Sequence, residues 1–109
     1  MEITKNDLEQ YKKQAGIVWT AATAKIAQAR MDIARWIDID NTNCKLYRLM
    51  WIGNNIADAE KEHEKIDTAC RKLAQAKPSE APTLYSEITA AYEELAHSTD
   101  KINSILRAK

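Results

Sequence analysis

The chain has 109 residues, enough to bury one hydrophobic core, and we predict a single domain over residues 1–109. Its 16 basic residues equal its 16 acidic ones, so it lacks the positive excess that attracts nucleic acid or an anionic membrane. Two glycines, two prolines and no phenylalanine favour helices over strands. We therefore predict an all-α protein with neither nucleic acid nor membrane as its partner.

The sequence also predicts a cytoplasmic location. The N-terminal residues are charged and lack the apolar core of a signal peptide, and no apolar run approaches the roughly 18 residues of a membrane-spanning helix. Cys44 and Cys70 are the two cysteines. If both lie on one helix they are about 39 Å apart, which is too far for a disulfide. Unpaired cysteines are typical of a reducing compartment.

The first predicted helix covers about residues 6–37. Asn6 followed by Glu9 is a capping-box pattern, so we expect Asn6 to cap this helix. Apolar or small residues then recur at spacings of three and four, which indicates one apolar face. The residues of this face are Leu8, Tyr11, Ala15, Val18, Ala22, Ile26, Ala29, Ile33 and Trp36.

The second predicted helix covers about residues 43–76, after a polar turn at 38–43 that is typical of a hairpin. We expect Thr42 or Asn43 to cap it. Its apolar face is formed by Leu49, Ile52, Ile56, Ala59, His63, Ile66, Cys70 and Leu73. Gly53–Asn55 is its weakest point, and a kink or break there is an alternative that would give the bundle four segments.

The third predicted helix covers about residues 83–107 and follows a loop that contains two prolines. We expect Thr83 or Ser79 to cap it. Its apolar face is formed by Leu84, Ile88, Ala91, Leu95, Ser98, Ile102 and Ile105 or Leu106. Because short loops place neighbouring helices antiparallel, we predict an up-down-up three-helix bundle with coiled-coil-like packing.

The hairpin tip, residues 30–39 and 43–52, extends beyond the third helix. When that helix folds back about residue 80, its end is level with about residue 53. Two helices alone cannot bury all the large apolar side chains of this tip, and an exposed aromatic patch usually marks an interface. We therefore predict a binding surface for a partner protein or for a second copy in a homodimer, formed by Trp36, Ile39, Leu46, Tyr47, Met50 and Trp51.

The predicted function is a non-enzymatic protein-binding module. Adaptors and small stoichiometric inhibitors, such as those that phages and mobile elements use against host defences, work in this way, although that comparison is one of size alone. Two alternatives leave the tip without a partner. In the first, Ile39 and the loop cover the tryptophans; in the second, helix two kinks at Gly53 and closes the gap.

Two Glu-x-x-His patterns, Glu60 to His63 and Glu94 to His97, have the spacing with which ferritin-like bundles bind two metal ions. His63 lies at the centre of its apolar face, whereas His97 points about 140° away from the centre of its own. We therefore predict no metal site and no cofactor. A small-ligand or metal-binding bundle around His63 and Trp19, which face each other in the predicted hairpin, is the alternative function.

The sequence predicts no enzyme and no small-molecule substrate. Cys44 lies near the predicted start of helix two, where backbone N–H groups favour a thiolate. Neither histidine is near Cys44, so the base that would activate this nucleophile is absent. Two isolated glycines also cannot form a phosphate-binding loop.

Overall fold

The computed structural model describes residues 3–39 and 46–107. No strand occurs in these two ranges, which confirms the all-α prediction. The elements are α1 (Lys5–Ile39), α2 (Leu46–Ala74), a 3₁₀ turn (Pro78–Glu80) and α3 (Ala81–Arg107). The molecule measures 59 × 18 × 17 Å, hardly longer than α1, whose 35 residues span about 52 Å. The three helices therefore lie side by side as a bundle.

The core is formed by the three predicted apolar faces, and every residue of those faces is buried or half-buried. The largest fully buried side chains are Ile66, Leu73, Ile88, Leu95 and Ile102. Ala22 on α1 and Ala59 on α2 are both fully buried, so small side chains are enclosed where these helices pack. The aromatic rings of Tyr11 and Tyr85, 5.4 Å apart, join α1 to α3.

The cap of α1 differs from the prediction, because Thr4 takes the place expected for Asn6. The Asp7 backbone N–H donates to the Thr4 hydroxyl at 3.1 Å, and the Thr4 backbone N–H donates to the Asp7 carboxylate at 3.0 Å. These hydrogen bonds, that from the Thr4 backbone foremost, lower the pKa of Asp7. Starting at Thr4 also lets the Leu8 N–H reach the Thr4 carbonyl at 3.1 Å, and the helix, beginning two residues earlier, gains two helical hydrogen bonds.

The start of α3 also differs from the prediction that Thr83 or Ser79 caps it. The helix begins at Ala81, and the 3₁₀ turn Pro78–Glu80 leads into it. Pro82 lies in the first turn, where its missing N–H removes no helical hydrogen bond. The prediction placed Pro82 in the loop before the helix, whereas Pro82 belongs to the first turn of the helix.

The α2 helix is continuous from Leu46 to Ala74, so the alternative of a break at Gly53–Asn55 is wrong. Asn55 is buried, and its side-chain amide donates to the Trp51 carbonyl at 2.9 Å. This side chain bonds within its own helix and does not cap a new one. The predicted caps of helix two, Thr42 and Asn43, lie outside the described residues.

Replacing either glycine by alanine is expected to raise the free energy of unfolding by about 1 kcal/mol, because glycine in a helix interior has the larger entropy loss on folding. Gly16 and Gly53 are exposed, neither has a positive φ, and an added Cβ would meet nothing within 4 Å. Urea denaturation of Gly16→Ala and Gly53→Ala measures the gain. Ala57→Gly, at an exposed position of α2, is the control and should lose about as much; no gain in either glycine variant would contradict this account.

Candidate interaction surface

The hairpin tip exposes two large apolar side chains at the start of α2. Met50 is 61% exposed and Trp51 is 60% exposed, whereas the next residue, Ile52, is buried. On the last turns of α1, Ile37 is exposed and Trp36 is half-buried. The two tryptophans predicted for the interface therefore differ, because Trp51 faces solvent while Trp36 packs partly inside.

Three further side chains of the predicted interface, those of Ile39, Leu46 and Tyr47, lie outside the described part of the structure. The alternative in which Ile39 and the loop cover the tryptophans also depends on residues outside the described part of the structure. As predicted, α3 is shorter than α1. It has 27 residues against 35 in α1, which makes it about 12 Å shorter.

A second exposed apolar region lies on α1, where Ile17 is 55% exposed and Met31 is 53% exposed. Sequence reasoning missed both residues because it assigned one apolar face to each helix. The sequence does contain a signal for a second face, because Ile17, Ala24 and Met31 are each seven residues apart, the spacing of one heptad.

Trp19 and His63 contact each other across α1 and α2, as the sequence predicted. Their ring centroids are 5.9 Å apart with 39° between the planes. His63 Nε2 lies 2.8 Å from the Thr23 hydroxyl, which itself donates to the Trp19 carbonyl at 2.9 Å. A hydrogen bond therefore joins the imidazole of His63 to the Thr23 hydroxyl. This arrangement fixes the orientation of the imidazole.

The groove between α1 and α2 contains two open cavities, one on each side of this contact. The first has a volume of about 370 Å³ and is lined by Gly16, Trp19 and Cys70 among others. The second, of about 540 Å³, is lined by Thr23, Glu60 and His63 among others. An ion pair between Arg30 and Glu60 crosses the groove.

The described residues contain no group of three or more histidine, cysteine, aspartate or glutamate side chains that could hold a metal ion. His97 is exposed on α3, as the sequence predicted. Cys70 is a half-buried free thiol, 3.8 Å from the Ala15 carbonyl. Burial, and then the nearby Asp67 carboxylate, raise the pKa of Cys70, so its thiol stays protonated and weakly nucleophilic at neutral pH. Cys44 lies outside the described residues.

Among the helices of the described ranges, none combines the length and the apolar character that crossing a membrane requires. The chain matches no protein-family model, no curated protein and no solved structure.

Proposed function

We propose that the protein is a non-enzymatic interaction module that binds another protein through its hairpin tip. The observation that supports this proposal most is the exposure of Trp51 beside Met50, with about three fifths of each side chain in water. Tryptophan is the residue type most enriched at the energetic centres of protein interfaces, and methionine adapts to irregular apolar surfaces.

The two side chains offer apolar surface that would form the centre of a contact with a partner. Their exposed parts amount to on the order of 250 Å², and removing that area from water contributes about 6 kcal/mol before the entropic cost of association. The partner that fits is a protein with an apolar pocket that accepts an indole ring. A small adaptor or a stoichiometric inhibitor acts through such a surface without any chemical step.

A cytoplasmic location forms part of the proposal, because Cys70 is a free thiol and reduced cysteines are typical of that compartment. The groove beside Trp19 supports a second candidate function, the binding of a small apolar ligand, since its cavity of about 370 Å³ is large enough for one. Native mass spectrometry distinguishes the two functions, because a retained small molecule supports the groove and a retained protein supports the tip.

Replacing Trp51 by alanine is expected to weaken partner binding at least about 30-fold, the loss that defines a central interface residue. The partner is first captured with the wild-type chain from its native host and identified by mass, and calorimetry with the purified pair then gives the affinities. Because Trp51 is exposed, its truncation should leave the fold intact, which circular dichroism verifies.

The matched control is Trp19→Ala, which removes the same side-chain type from the groove and should leave partner affinity within about twofold. An unchanged affinity in Trp51→Ala would contradict the proposal. Equal losses in the two variants would contradict it as well, since they would show that the partner does not distinguish the tip from the groove.

A further inference from the structure

The α1 helix carries a second apolar stripe on the side opposite the core. At about 100° per residue, this stripe is centred roughly 170° from the core face. Its positions follow a heptad repeat. One position recurs every seven residues, and a second position lies three residues after each of these. The stripe, called here the α1 outer stripe, consists of Ile17, Thr20, Ala24, Ala27, Met31 and Ala34, all of them exposed.

Charged side chains are absent from this face of α1 between Gly16 and Ala34. Charged residues make up 29% of the chain, and they normally occupy the solvent side of an amphipathic helix. An exposed helix face with small and apolar residues at two heptad positions is instead typical of a helix that packs against another helix.

We propose that the α1 outer stripe pairs with the same stripe of a second copy of this chain, with the two α1 helices antiparallel. This contact is separate from the hairpin tip and adds a surface that the proposed function does not use. With Ala24 opposite Ala27 of the second copy, Ile17 lies opposite Ala34, and Met31 lies opposite Thr20. Each large side chain then meets a small one, which is the condition for close packing without voids.

Both shape and charge favour the antiparallel arrangement over a parallel one. A parallel pair would place Met31 against Met31, where the side chains are crowded, and Ala24 against Ala24, where space is left unfilled. It would also bring Arg30 and Arg35 level with their own copies. In the antiparallel register these arginines lie level with Ala21 and Gly16 of the second copy, so like charges do not face each other there.

The size of this contact indicates a weak dimer. In the proposed register the two helices overlap over residues 12–39, or about 42 Å, and the helix contact is about 10–12 Å wide, which buries on the order of 900 Å² in total. Stable interfaces bury roughly 1,200–2,000 Å². We therefore expect rapid exchange between monomer and dimer, with a dissociation constant on the order of 100 µM.

Sedimentation equilibrium between about 5 and 500 µM tests the association, spanning the expected dissociation constant. The wild-type mass should rise from 12.4 kDa towards twice that value. Ala24→Glu places a carboxylate at the centre of the stripe and is expected to weaken dimerisation at least tenfold without disturbing the fold, because glutamate is a good helix former at an exposed position. Ala57→Glu, at an exposed alanine of α2, is the matched control and should dimerise like the wild type.

Disulfide trapping tests the orientation. In a background with Cys44→Ser and Cys70→Ala, chains carrying Ala24→Cys are mixed with size-tagged chains carrying Ala27→Cys and oxidised gently. With the two variants in equal amounts, random pairing would make the mixed disulfide one half of the product, so the antiparallel register predicts a mixed share clearly above one half, whereas a parallel pair would bring it below one half. A cysteine introduced at Ala57 reports random collisions and should give the least product.

A mass of one chain at every concentration would overturn the proposal, and an excess of homodisulfides would overturn the antiparallel register. Trp51→Ala, which tests the tip, is expected to leave the dimer unchanged. If Trp51→Ala abolished the dimer while Ala24→Glu retained it, the contact would lie at the tip; that result would overturn the α1 contact without contradicting the proposed function.

Discussion

Truncating Ile66 to alanine is expected to lower the free energy of unfolding by about 3 kcal/mol. Ile66 has no exposed surface and lies in the main cluster of buried residues contributed by all three helices. Removing three buried carbon atoms loses their transfer free energy and leaves a cavity that the surrounding side chains fill only partly. Urea denaturation at a few micromolar, where the chain is expected to be monomeric, measures the loss.

The same substitution at Ile17 is the matched control, because Ile17 lies in the middle of a helix but is 55% exposed. The difference in helix propensity between isoleucine and alanine is then common to both variants and cancels in the comparison. We expect Ile17→Ala to change the free energy of unfolding by less than about 0.5 kcal/mol. Equal losses at the two positions would show that the core does not lie on the face that contains Ile66.

Enlarging Ala59 to leucine is expected to cost about 1–3 kcal/mol, because the added carbon atoms must displace neighbouring atoms in a closely packed interior. Ala59 is fully buried on α2 and belongs to the same core cluster as Ala22, the fully buried alanine of α1. The melting temperature and the urea midpoint both report the loss.

Ala57→Leu serves as the control, since Ala57 lies two residues away on the exposed side of the same helix. Alanine and leucine are both strong helix formers, so this variant should remain within about 0.5 kcal/mol of the wild type. If Ala59→Leu were equally neutral, the helices would have to be packed more loosely around Ala59 than the structure shows.

The buried faces were predictable from the sequence because a helix in a bundle repeats its inward side every three or four residues. Ile66, Ala59 and Leu95 all follow from this rule. The helix ends were less predictable, since Thr4–Asp7 and Asn6–Glu9 are overlapping capping patterns of similar quality. A start at Thr4 gives the helix two more backbone hydrogen bonds than a start at Asn6, a small difference that the two patterns do not reveal.

The exposed apolar side chains were predicted only in part. Periodicity shows which residues share a face but not which face is covered, so the second stripe with Ile17 and Met31 was missed. The contrast between half-buried Trp36 and exposed Trp51 also depends on where neighbouring helices end, which the spacing of apolar residues does not specify.

The elongated shape of the bundle affects how its oligomeric state has to be measured. Its radius of gyration is 17.1 Å, whereas a compact domain of this length has about 13 Å. A compact chain of twice the length would have about 17 Å by the same relation. Because gel filtration responds to molecular dimensions and not to mass, a calibration with globular standards would overestimate the mass of the monomer and bias it towards that of a dimer. Sedimentation equilibrium and light scattering avoid this error because they determine mass independently of shape.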